Sequence, residues 1–112
     1  MSLPILNRRL VLEAPTRVPD GAGGYVDGWQ SLGTLWASVN ARPGRETAGP
    51  GGTISLSSVT ITVRGAPQGS PRRPAPDQRL RDGDRIFKIL AVATADPRGR
   101  YLACEAREEI ST

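Results

Sequence analysis

The 112-residue sequence contains no histidine and a single cysteine, Cys104. Without histidine the chain lacks the commonest general base and the commonest metal ligand, and a Cys–His nucleophile pair is impossible. One cysteine excludes an intrachain disulfide and any cysteine-cluster metal site. Lys88 is the only lysine among 15 basic residues, and its place inside RIFKIL leaves no credible Ser–Lys pair. Aromatics make up only 4% of the chain, so a core must rely on Leu, Ile, Val and Ala. No run approaches the ~18 apolar residues of a membrane span, and no charged-then-apolar leader opens the chain. These absences describe a soluble protein made in the cytoplasm, with no cofactor, no metal and no membrane partner. They argue against an enzyme.

The residues that could still carry chemistry have blander readings. Cys104, in LACEA, is a small buried hydrophobe rather than a reactive thiolate. Asp82 and Asp84 flank a turn glycine but lack the further ligands a calcium loop requires. Glu108-Glu109 reads as a solvated terminal pair. The stretches GAGG and GPGG lack the lysine–serine ending and the strand-to-helix context of a phosphate cradle.

What the chain does have is arginine, turn residues and alternation. The net charge of +4 and the pI near 10.2 come almost wholly from arginine. Its planar fork pairs bidentately with carboxylates and phosphates, so it suits protein interfaces and nucleic acid alike; arginine-rich codon usage explains the bias equally well. The 13 glycines and 10 prolines cluster into turns and two long loops, at about 42–53 and about 65–78.

Between these breakers the period is two. Arg8–Ala14 (RRLVLEA) reads as a first strand, followed by a turn cluster over Val18–Gly24. Tyr25–Leu32 and Thr34–Ala41 read as two strands, or as one strand bent at Gly33. Thr53–Arg64 alternates cleanly, with Val59, Ile61 and Val63 against Thr60, Thr62 and Arg64. Asp82-Gly83 marks a turn. Arg85–Thr94 is apolar on both faces and predicts the central strand of the core. Asp96-Pro97-Arg98-Gly99 predicts a tight hairpin into a last strand, Arg100–Arg107. The expectation is an all-β fold: one domain over 1–112, a small antiparallel β-barrel of about six strands, with a loose C-terminal tail at about 108–112. The alternation places most of the aromatics inside, with Trp36 in the core or at a subunit seam and Trp29 capping the barrel end. Arg72 and Arg73, in the proline-rich loop, are the best candidates for a partner or a DNA phosphate, or else a solvated loop tip.

The order of these features resembles one family. Asn7–Glu13 (NRRLVLE), the glycine turn and tryptophan of Asp20–Trp29 (DGAGGYVDGW), Thr34–Val39 (TLWASV), Gly44-Arg45-Glu46, Gly83–Ile89 (GDRIFKI) and Tyr101–Ala106 (YLACEA) are similar to the phage head–tail joining proteins. These are also called head-closure or stopper proteins, and they occur in long-tailed phages and gene transfer agents. The resemblance covers nearly the whole chain; the glycine-rich Arg42–Gly52 loop and a PRRPAP insertion depart from it. It implies a structural virion protein at the head–tail junction, made in the bacterial cytoplasm. Its partners would be copies of itself in a ring, a portal or adaptor protein on the head side, and a tail terminator or tail tube protein on the tail side. Packaged DNA would pass through the channel that it helps to close. Arg42, Arg45 and Glu46 are then the candidate channel or intersubunit loop. The alternatives are a small basic barrel that binds nucleic acid and a neighbouring tail-completion protein.

Overall fold

The period-two pattern is realised in eight strands. The computed structural model describes residues 3–41, 47–49, 52–54 and 57–109, and all its regular structure is β. The strands are β1 (Arg8–Pro19), β2 (Tyr25–Ala41), β3 (Thr47–Gly49), β4 (Gly52–Ile54), β5 (Ser57–Arg64), β6 (Arg79–Asp82), β7 (Arg85–Thr94) and β8 (Tyr101–Glu109). Six of them form one antiparallel sheet in the order β1-β2-β5-β8-β7-β6, closed on itself where β6 pairs with β1. Closure removes the open edges that a six-stranded sheet would otherwise expose. The expected long loop between β2 and β5 contains, in its described part, a two-stranded ribbon of β3 and β4.

Alternation then decides which side chains fill the interior. Leu10 and Leu12 of β1, Val59, Ile61 and Val63 of β5, Leu80 of β6, Phe87 and Ile89 of β7, and Leu102, Cys104 and Ala106 of β8 are all buried. Large residues face small ones across the β5–β8 pair, Val59 opposite Ala106 and Ile61 opposite Cys104, as a narrow barrel requires. Each fully buried Leu or Ile contributes roughly 1.5–3 kcal/mol of transfer free energy.

β7 departs from its expected role. A register shift between Ile89 and Ala91 inserts Leu90 as an extra residue, and Leu90 is 48% exposed. Parity flips there: Ile89 faces Ala106 and Val92 faces Cys104, so both point inward although three residues apart. In a closed sheet of six strands each strand has one inner face, so β7 is not buried on both sides. On its β6 side the bulge is held by the segment that leads into β6, where Ile89 N–H donates to the Gln78 carbonyl (3.0 Å) and Asp77 N–H to the Ile89 carbonyl (3.3 Å), extending the β6–β7 ladder.

β1 and β2 run well past the barrel as a hairpin arm, Ala14–Pro19 against Tyr25–Gln30. The turn cluster expected at Val18–Gly24 therefore starts two residues later. Asp20 closes it: its carboxylate accepts from the N–H of Ala22 (2.8 Å) and Gly24 (3.0 Å), and these bonds hold its pKa below the ordinary aspartate value. The bend expected at Gly33 is a β-bulge. β1 steps from Leu12, opposite Gly33, to Glu13, opposite Ser31, and Gly33 takes φ 135°, where a side chain would be strained. The Asp96–Gly99 hairpin also forms as its sequence predicts, with Gly99 N–H donating to the Asp96 carbonyl at 3.1 Å.

Candidate interaction surface

Arg42, Arg45 and Glu46 lie outside the described residues. Arg72 and Arg73, neighbours in sequence, are separated in role. Arg72 is exposed. Arg73 is half-buried and donates from Nη1 to the Ala66 carbonyl (2.9 Å), which ties the 65–78 loop across itself. The next residue, Pro74, is fully buried, so this part of the loop is packed rather than a solvated tip. Gly65 starts the loop against the β7–β8 hairpin, with its N–H on the Arg100 carbonyl (2.6 Å); a Cβ there would collide with the backbone of Gly99.

The aromatics are mostly outside, against the expectation from alternation. Phe87 alone is fully buried; Trp36 is 53% exposed, Tyr25 64% and Trp29 42%. The reason is phase. Leu35, Ala37 and Val39 occupy the inner parity of β2, leaving Trp36 outward with Ser38 and Asn40. That phase was readable in TLWASVN, where polar residues follow the tryptophan at even steps. Trp29 does not cap the barrel but lies on the arm, where the Arg79 guanidinium stacks on its ring at 4.0 Å.

Arg79 also links the arm to the barrel. With Arg81 it grips the buried carboxylate of Glu13, at 2.7 and 3.2 Å respectively. Arg8 pairs with Asp82 at the other end of the same seam. Two of the acidic residues singled out from sequence thus have structural work. Asp82 is an ion-pair partner, and Glu108, within β8 rather than a loose tail, takes a two-point bond from Arg85 (2.8 and 3.0 Å). That bond depresses the Glu108 pKa and raises that of Arg85.

A second set of arginines has no such partner among the described residues. Arg9 on β1 faces Trp36 on β2, its guanidinium 6.0 Å from the ring centroid, and Arg64 on β5 faces Tyr101 on β8. Arg64 and Arg72 meet at a depression of about 230 Å³ that is also lined by Trp36 and Ala66. Among the described residues no carboxylate lies in salt-bridge range of Arg9, Arg64 or Arg72.

Burial pushes the Cys104 thiol up to about 12, far from the range of a nucleophile. Among the described residues no group of three or more His, Cys, Asp or Glu could hold a metal ion, and no helix is long and apolar enough to cross a membrane. The surface offers shape, arginine and aromatic rings.

A barrel of this build has known counterparts. The model of the phage head completion protein family matches residues 1–109. The chain belongs to that family. A chain of the virion of a native gene transfer agent particle is 54% identical, with a TM-score of 0.83 over 98% of this chain and 100% of the other. A Shigella flexneri 2a protein solved in solution is 22% identical, with a TM-score of 0.71 over the whole of both chains, and shows the same fold. No curated protein matches. A head completion protein has a structural, head-associated role.

Proposed function

We propose that this head completion protein is a virion component that assembles as a ring at the head–tail junction. It joins the portal or adaptor to the tail terminator or tail tube, and it helps to close the DNA channel. It does so without catalysis. The observation that carries this reading is the 54% identity, along 98% of the chain, to a chain of a gene transfer agent virion.

The architecture supports it. A closed barrel is a stiff spacer, and contacts are left to what connects its strands: the β1–β2 arm, the 65–78 loop and the β2–β5 connection, whose sequence contains Arg42, Arg45 and Glu46. A ring needs one patch to meet a different patch on the next copy, and unlike loops at the two ends of a barrel satisfy that condition. Within this reading Arg42, Arg45 and Glu46 act at the channel or between subunits, and Arg72 faces a partner.

The test is reconstitution. DNA-filled heads that carry a portal but lack this protein are mixed with the purified chain and imaged by electron microscopy. A ring of added density below the portal, together with retained DNA, is the expected result. Heads that stay bare and leak DNA at saturating protein would refute the assignment.

A further inference from the structure

We infer that the depression beside Trp36 is a socket for the acidic end of a second copy of this chain. The inference rests on the ring reading and gives it a contact.

The socket is cationic and partly apolar. Arg64 and Arg72 line it together with Trp36 and Ala66, and Arg9 lies over Trp36. Tryptophan and arginine are the residue types that carry most binding energy at protein interfaces, and an unpaired guanidinium beside a ring suits a carboxylate on an aliphatic stem. A phosphodiester would use the charge but gain nothing from the apolar surface of Trp36 and Ala66.

The complement is on the same molecule, out of its own reach. Asp84, in the β6–β7 turn, and Glu109, at the end of β8, are exposed and hold no ion pair among the described residues. Glu109 lies opposite Ile86, two residues after Asp84, so the two carboxylates share one end of the barrel. Arg64 is level with Tyr101, the first residue of β8, and Glu109 is the last. At about 3.4 Å per residue the patches stand roughly 27 Å apart along the strand. They cannot meet within one copy. Between copies they meet head to tail, the unlike-patch contact that a closed ring repeats.

The experiment exchanges the charges. Arg64→Glu with Arg72→Glu reverses the socket, and Asp84→Arg with Glu109→Arg reverses the acidic end. All four side chains are exposed, and unchanged thermal melts would verify the fold. Ring assembly on portal-bearing heads and self-association by sedimentation are then measured. Each double variant should weaken self-association at least tenfold, and the quadruple variant, with both patches reversed, should recover it. Double variants that assemble like the native chain would overturn the socket and leave the ring untouched. A native chain that never assembles would overturn the ring and the socket together. If Arg64→Glu with Arg72→Glu abolishes salt-sensitive binding of duplex DNA and the quadruple variant does not recover assembly, the surface is for nucleic acid and the inference falls.

Discussion

Across β5 and β8, eight register pairs set Val59, Ile61 and Val63 beside Ala106, Cys104 and Leu102. Across β1 and β6, three pairs close the barrel, and Glu13 is held there between Arg79 and Arg81 with Arg8 on Asp82 nearby. The wall is long and apolar, and its inward side chains hold by size matching, with no directional bond between them. The seam is short, ionic and directional. A buried ion pair adds little net stability over a well-packed apolar pair, but breaking one partner leaves a charge stranded. The seam therefore supplies register more than cohesion. It sits where β1 leaves the barrel to become the arm, so the same Glu13 network that closes the sheet also sets the arm's direction.

Breaking the wall should cost most. Ile61→Ala removes a fully buried side chain from the middle of β5 and leaves a cavity opposite Cys104. The expected loss is about 2–5 kcal/mol, read from the midpoint of urea unfolding. A loss below about 1 kcal/mol would mean that the interior is not close-packed and that the wall is not what holds the fold.

The seam should cost less and respond to different conditions. Glu13→Gln keeps the shape and removes the charge between Arg79 and Arg81, for an expected loss of about 1–3 kcal/mol. Raising the salt to 1 M should narrow the gap between native and variant, because Arg81 is 42% exposed and its pairing is screened. The Ile61→Ala gap should not narrow. If both gaps respond alike, the distinction between wall and seam disappears.

The same contrast explains how much could be read from the sequence. The strands of the wall were legible, since TISLSSVTITVR and RYLACEAR carry a period of two, but their partnership was not: only the β7–β8 pairing, through the Asp96–Gly99 hairpin, is local, and β5 meets β8 across the whole of β6 and β7. Gly33 announced its bulge because few other residues would interrupt that run. Leu90 did not, since an apolar residue in an apolar run gives no sign that it is the extra one; only closure of a narrow sheet forces it out. Nor did Glu13 stand out, because its partners lie on β6, more than sixty residues away, and an ion pair leaves no period behind. The interaction surface was half legible. Arg72 was singled out as a candidate from its loop, whereas Arg9 and Arg64 came together with Trp36 only through the pairing of three strands.

The smallest expected effect lies at the end of the barrel, where Arg85 sits both on Glu108 and over the Phe87 ring at 5.1 Å. Wall and ion pair meet there. Arg85 holds the Glu108 carboxyl below its ordinary value of 4.5, so the folded state favours the ionised form. A depressed carboxylate pKa stabilises the fold above the unfolded value, and that contribution fades as the pH drops through the folded one. Native protein should therefore exceed Glu108→Gln in stability by a constant margin from neutral pH down to about 4.5, and the margin should shrink in more acid solution. Arg85 is 46% exposed, so solvent screening limits the margin to about 1 kcal/mol at most. Asp20, also depressed, is common to both proteins and cancels from the difference. Paired urea titrations between pH 3 and pH 7 would measure it. A margin that grew toward acid would mean that Glu108 is folded in its protonated form, and the ionic cap on Phe87 would have to be abandoned.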